Sequence, residues 1–221
     1  MKTIETAHIT SLLHSRLYVN QLIRFIFDQS PEKSKLLSLI EEQAFMSLCE
    51  ISSSCQLIRN EIRSMQTNGE KQKQLKEEYN RLFVGPNALP APLWESVYLG
   101  KEHLMFEQET LQVRNWYHQY GLSFIRENNE PDDHIVLELE FLGFLIQQTL
   151  EAYETEKKLQ LIEDQYSFLN QHLLVWTPSF CELLNKVSKV DLYKGAAQLL
   201  LEYLNLENEL VLAIKEALHY E

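Results

Sequence analysis

The stretch "PDDHIVLELEFLGFLIQQTLEAYE", residues 131–154, decides the fold. Ile135, Leu139, Leu142 and Ile146 recur at helical steps along one side. Leu137, Phe141, Phe144 and Leu145 line another. A helix that is apolar on more than one side needs neighbours on more than one side, so it lies inside a helical assembly. Pro131, with Asp132 and Asp133 beside it, predicts the helix start, because proline fits a first turn and acids suit its positive end. His134 and Glu138 are four apart and form a predicted pair on one face. Glu138 and Glu140 stand among apolar residues. A buried carboxylate needs a cation or several donors, and Arg81, Arg114 and Arg126 are the candidates. Two acids separated by two positions on a helix point away from each other, which favours a structural role over paired acid–base chemistry.

The same spacing extends outward. Leu13, Leu17, Leu22, Phe25 and Ile26 predict a first helix running to Asp28. Ser30-Pro31-Glu32 restarts a helix, and "SLIEEQAFMSLCEI" continues it in register. Ser53 or Ser54 is the predicted cap of the next helix, and Asn68-Gly69 stops it. "EKQKQLKEEYNRLFV" places Leu75, Tyr79, Leu82 and Phe83 on one face before Gly85-Pro86. "ETLQVRNWYHQYGL" is a short helix stopped by Gly121, and a polar connection, 123–130, follows it. Further helices are predicted over Thr155–Leu174, Pro178–Lys189 and Leu192–Tyr220. No segment alternates with the period of a strand. The predicted class is all-α: one compact multi-helix domain over residues 1–221, with about ten helices or fewer and a central proline-rich loop at 85–99.

Bulk properties narrow the function. A chain of 221 residues, 45% hydrophobic, can bury a sizeable core. Its formal net charge of -12 gives no long-range attraction for nucleic acid or anionic lipid and suits a basic peptide or protein partner. Three cysteines without a CxxC pair argue against a disulfide framework or zinc module and fit a reducing compartment. The first residues lack an uninterrupted apolar stretch with a small-residue cleavage site, so a cytoplasmic location is expected. No apolar run reaches membrane-spanning length, so no stable membrane insertion is expected.

No phosphate-binding loop, nucleophile elbow, HExxH or dinucleotide fingerprint occurs. The seven histidines, including the central His103 and His118, lack metal-ligand spacing. The reading is therefore not an enzyme. The remaining catalytic alternative is a metal-dependent hydrolase built on Asp132, Asp133 and His134. A helical adaptor for another enzyme is the other alternative.

The segment "RLFVGPNALPAPLWESVYL", Arg81 to Leu99, is too proline-rich for a regular helix and too apolar for an ordinary loop. Pro86, Pro90 and Pro92 hold the backbone extended or turned. That stiffness fixes Leu89, Leu93, Trp94 and Tyr98 with little entropy left to lose, as the wall of an apolar groove would require. Glu95 adds charge beside Trp94. Packing of these side chains into the core is the competing use.

At these residues the chain resembles the TorD/DmsD family of cytoplasmic chaperones for bacterial molybdoenzymes of the DMSO reductase type. "EEYNRLFVGPNALPAPLWESVYL" is similar to the family's Leu–Phe–x–Gly–Pro run and the aromatic–x–Ser–Val–aromatic segment after it. "NNEPDDHIVLELEFLGFL" is similar to its Glu–Pro–x–Asp–His helix start. "NQHLLVWTPSF" is a weaker match to a His–Leu–x–x–Trp–x–x–x–Phe patch. The resemblance implies an all-helical domain that binds a twin-arginine leader and the immature catalytic subunit until the molybdenum cofactor is inserted. Carried over by position, Gly85, Pro86, Pro90, Trp94, Ser96 and Tyr98 match the loop. Pro131, Asp133 and His134 match the helix start tied to leader recognition. With Leu89, Glu95 and Asp132 these form the expected peptide-binding set. Pro92-Leu93-Trp94-Glu95 departs from some members, so leader preference does not carry over. Some members bind guanine nucleotide weakly. No nucleotide loop is present, and no cofactor is expected. Family members occur as monomers and as domain-swapped dimers.

Overall fold

The structure, a computed structural model, describes residues 6–101, 104, 105, 107–124 and 131–219. His103 and Arg126 lie outside the described residues. Eleven α-helices are present among those residues: α1 (Thr6–Asp28), α2 (Lys33–Leu39), α3 (Gln43–Ile51), α4 (Ser53–Thr67), α5 (Lys71–Tyr79), α6 (Glu95–Leu99), α7 (Gln108–Gln119), α8 (Ile135–Glu151), α9 (Thr155–Phe168), α10 (Leu174–Val187) and α11 (Asp191–His219). Two π-helical turns, Asn80–Val84 and Leu169–Leu173, extend α5 and α9. The all-α class is as expected. The one β-type feature among the described residues is an isolated antiparallel bridge between Trp94 and His134.

The chain divides into two compact units. The first comprises Met1–Arg24, Trp94–Thr177 and Tyr203–Glu221; the second comprises Phe25–Leu93 and Pro178–Glu202. In the first unit α8 packs against α9, and α6 against α7. Ile135, Leu139, Leu142, Leu145 and Ile146 are fully buried, as their spacing requires. Phe141 is the hub of an aromatic cluster with Tyr117, Tyr120, Phe144 and Phe168. The absence of a side chain at Gly143 lets α1 approach α8: a Cβ there would lie 3.0 Å from Asn20 Oδ1. The Asn20 amide donates to the Leu139 carbonyl at 3.0 Å. The Arg16 guanidinium, also buried, donates to both oxygens of Glu207 at 2.8 and 2.7 Å and to Gln165 at 2.6 Å.

In the second unit Phe27 meets Phe83 and Phe180 edge to face. Tyr79 and Tyr193 donate their hydroxyls to the backbone carbonyls of Phe27 and Leu75. Arg81 pairs with Glu78, which also accepts the Lys189 N–H.

Several expected boundaries shift for local reasons. The helix expected to run through "SLIEEQAFMSLCEI" breaks after Leu39 and resumes at Gln43. Glu32, without a side-chain cap, precedes α2 in place of Ser30. Ser52, not Ser53 or Ser54, caps α4 by accepting the Cys55 N–H. The break expected before Pro178 is absent, because helix continues from α9 through the π-turn into α10 with Pro178 inside it. Proline there lacks the N–H that would reach the Leu174 carbonyl.

Candidate peptide-binding site

Pro131, Asp132 and Asp133 do not form the first turn of a helix, as the sequence suggested. α8 starts at Ile135, and His134 is its N-cap, with Nδ1 accepting the Val136 N–H at 3.2 Å. The three residues before it form a buried turn that organises the segment after the prolines. That segment is not wholly irregular either, since Glu95–Leu99 make one helical turn. Trp94, the N-cap of α6, offers no side-chain acceptor. Asp133 supplies one from outside: its Oδ2 accepts the Ser96 N–H at 2.7 Å, and its carbonyl accepts the Glu95 N–H at 3.0 Å. A carboxylate on the first-turn N–H groups of a helix is favoured by hydrogen bonding and by the helix dipole. Oδ1 accepts the Thr110 hydroxyl at 2.7 Å, which ties α7 to the same point.

Asp132 is equally buried. Its Oδ2 receives Arg114 Nη2 at 2.6 Å and Nε at 3.0 Å, and its carbonyl receives the Tyr117 hydroxyl at 3.1 Å. The side chains of Asp132, Asp133 and His134 thus turn to separate partners. Among the described residues no three His, Cys, Asp or Glu side chains group as metal ligands. This is the arrangement of a braced turn.

The rings of the half-buried Trp94 and His134 meet edge to face at 5.3 Å beside their backbone bridge. Behind them Tyr98 packs on Trp176 at 5.3 Å. Glu95 turns inward, only 1% exposed, and its carboxyl hydrogen bonds with His172 Nδ1 at 2.9 Å. Of the arginines expected for Glu138, Arg114 holds Asp132 and Arg81 holds Glu78, and Arg126 lies outside the described residues. Glu138 Oε2 accepts the Trp176 indole N–H at 3.2 Å, and its buried Oε1 has no hydrogen-bond partner among the described residues. Burial, reinforced by the Glu95 charge, pushes the Glu138 pKa well above the usual carboxylate range. Burial also raises that of Glu95, against the pull of His172. Glu140 reaches solvent and pairs with Arg24 at 3.0 Å.

One helical turn beyond His134, an apolar cavity of about 360 Å³ is lined by Tyr117, Leu122, Phe124, Leu137, Phe141 and Phe144, with Glu140 at its edge. The turn ending α7 shapes it. Gly121, at φ 68°, lets the Leu122 N–H return to the Tyr117 carbonyl and its own N–H to the His118 carbonyl. This left-handed helix stop brings its two flanking apolar residues, Tyr117 and Leu122, together.

The structure therefore gathers Trp94, Glu95, Ser96, Tyr98, Pro131, Asp132, Asp133 and His134 in one unit. Gly85, Pro86, Leu89 and Pro90 belong to the other. There Gly85, at φ 99°, closes the first π-turn with its N–H on the Asn80 carbonyl at 2.9 Å. Pro86 is exposed, and Leu89 and Pro90 are half-buried. His172, Trp176 and the cavity aromatics were missing from the expected set. "NQHLLVWTPSF" was the signal for the first two, because His172 and Trp176 are four apart and share a helix face.

Comparison with known proteins gives the family of the chain. The family model described as "Nitrate reductase delta subunit" matches residues 49–182. A Haemophilus influenzae protein named "Probable Tat proofreading chaperone DmsD" is 32% identical, over 83% of this chain and 85% of its own length. The "Chaperone protein TorD" of Aliivibrio fischeri is 30% identical, over 90% of this chain and 89% of its own. In fold, the chain is similar to a solved structure from Archaeoglobus fulgidus described as a redox enzyme maturation protein. The TM-score is 0.54 at 21% identity, covering 87% of this chain and 93% of that one. Members of this family are chaperones and not enzymes, and among the described residues no helix is long and apolar enough to cross a membrane. The chain belongs to the TorD/DmsD family of redox-enzyme maturation chaperones.

Proposed function

We propose that this chain works in the cytoplasm as the dedicated chaperone of a molybdoenzyme of the DMSO reductase type. It binds the enzyme's twin-arginine leader and immature catalytic subunit, and holds them until the cofactor is inserted. The observation that carries this reading is the pairing of Trp94 with His134 at the head of α8, one turn from an apolar cavity. A leader is basic and then apolar. The cavity aromatics supply surface for the apolar run, and the two half-buried rings supply an edge for it to cross.

The acids divide into two roles. Asp132 and Asp133 are buried and already hydrogen-bonded, so they hold the turn and α6 in place instead of meeting the leader. Glu140 is the carboxylate at the cavity edge that reaches solvent, and a leader guanidinium competes with Arg24 for it. The net charge of -12 draws a basic peptide in and makes association salt-dependent.

Calorimetric titration tests the reading. The probe is a synthetic peptide carrying an Arg-Arg pair followed by an apolar Ala/Leu run, with a Lys-Lys version as control. Wild type binds the Arg-Arg peptide more tightly, Trp94→Ala weakens both, and Glu140→Gln removes most of the difference between them. Equal affinity of wild type and Trp94→Ala for the Arg-Arg peptide contradicts the site.

A further inference from the structure

We infer that His172 is a positioning residue that joins the two parts of the candidate site, acting on Trp94 through Glu95 and on the apolar cavity through Phe168. That these parts receive a peptide rests on the function proposed above; the joint itself does not.

Trp94 and the cavity belong to different elements. Trp94 is the N-cap of α6, whereas the cavity is walled by the end of α7 and by α8. α6 has five residues, too few to hold a helix by its own hydrogen bonds. Asp133 fixes its N–H end, and the rest of its placement comes from the side chains it turns inward. Two of these meet one short stretch of chain. The Glu95 carboxyl hydrogen bonds with His172 Nδ1 at 2.9 and 3.2 Å, and the Tyr98 ring packs on Trp176, four residues further on. Glu95 and His172 are both buried, so removing either leaves a polar group without a partner away from water.

The same imidazole packs on Phe168, with ring centroids 5.1 Å apart. Phe168 meets Phe141 edge to face at 4.8 Å. Phe141 is a wall of the cavity and the neighbour of Tyr117 and Tyr120, which end α7. His172 therefore touches the first residue of α6 and also the aromatic cluster behind the cavity. It lies in the second π-turn, and such distortions of a helix are frequent at functional sites. Contiguous packed side chains carry coupling between two parts of a site when both depend on them. Through this joint the seat of Trp94 and the wall of the cavity depend on one residue.

Two variants cut the joint on one side each. His172→Asn keeps a polar N–H or carbonyl near the place of Nδ1 and removes the ring. His172→Phe keeps the ring and removes the hydrogen bond. Amide hydrogen exchange of the full-length chain without peptide reads the outcome. Segment 95–100 reports on α6, and the 117–122 turn, whose Gly121 and Leu122 N–H groups are hydrogen-bonded, reports on the cavity side. His172→Ala speeds exchange in both. His172→Phe speeds it about fivefold or more in 95–100 alone, the weight of one hydrogen bond. His172→Asn speeds it about threefold or more in 117–122 alone, the weight of one aromatic pair. Affinity for the Arg-Arg Ala/Leu peptide falls in all three variants, most in His172→Ala.

Equal acceleration of both segments in every variant, as a general loss of stability gives, overturns the joint, and so does unchanged exchange in all three. Should a His172 variant not fold, Glu95→Ala and Phe168→Leu cut the same two contacts from their far ends, and the same split is expected. If exchange splits as stated while wild type ignores the peptide, the function proposed above fails and the joint stands. If wild type binds the peptide and the His172 variants bind it equally well, the positioning role is overturned.

Discussion

Trp94 and His134 are joined twice, by a backbone bridge and by an edge-to-face ring contact with centroids 5.3 Å apart. Residues 40 positions apart in sequence thereby become one surface, with the head of α8 and the start of α6 as its frame. Trp94→Ala removes a large half-buried ring from that surface, outside the fully buried core. The expected result is a loss of peptide affinity of about tenfold or more with little change in Tm. Titration and thermal melting on the same preparations check this.

Asp133 is the opposite case. It is fully buried and serves Ser96 and Thr110 at once, so Asp133→Ala leaves two donors without their acceptor. Hydrogen bonds to a charged group of this kind are worth about 1.5–3 kcal/mol each, and the expected loss in a urea unfolding titration lies in that range or above it. Peptide affinity falls as well, through the displaced α6. The pair of variants thus separates contact from support: Trp94→Ala changes binding alone, and Asp133→Ala changes both.

The buried acids give stability a pH dependence of known sign. Burial raises the Glu138 pKa in the folded state, and Glu95 shifts the same way. The folded chain then holds protons that the unfolded chain releases. This contribution is complete below the ordinary glutamate value of about 4.3 and is lost as pH rises through the folded value. Glu78 runs the other way. Its burial would raise it, but hydrogen bonds from Arg81 and the Lys189 N–H bring it below its usual value. Its contribution is present above that usual value and lost as pH falls. Melting curves from about pH 5 to about pH 9 should show Glu138→Gln gaining on wild type by up to about 1.4 kcal/mol per pH unit at the alkaline end.

The core of the fold was legible because it rests on spacing. Ile135, Leu139, Leu142 and Ile146 on α8 are buried as their spacing requires, whereas Leu137 and Phe144 of the second side are half-buried and line the cavity, and Gly121 stops α7 where a left-handed residue was needed. What escaped was set by contacts distant in sequence. Pro131-Asp132-Asp133 has the composition of a first turn, yet Arg114, Tyr117, Thr110 and Ser96 draw those residues into a turn ahead of the helix. Glu138 called for a cation by the rule for buried charge, and among the described residues it receives an indole N–H at Oε2 instead. A neutral acid satisfies that rule without a cation, but periodicity does not show which acid holds a proton. Pro178 marked a helix start by local preference and sits instead in the interior of α10, as packing can demand.

The buried pair of Arg16 and Glu207 allows a check on the first unit that is independent of any ligand. Glu207→Leu leaves a buried guanidinium unpaired and is expected to cost about 3–5 kcal/mol. Changing both residues, Arg16→Met with Glu207→Leu, recovers most of that loss, because the desolvated charges leave together. Urea titration of the two variants beside wild type measures the difference.

The central claim is that the leader lies across Trp94, His134 and the cavity beyond them, and photo-crosslinking tests it most directly. A benzophenone is placed next to the Arg-Arg pair of the probe peptide, and labelled fragments are read by mass spectrometry. The account predicts labels on the segments carrying Trp94, His134 and Leu137–Phe144, all suppressed by unlabelled Arg-Arg peptide. Suppressible labels confined to other segments, with these three untouched, would contradict it.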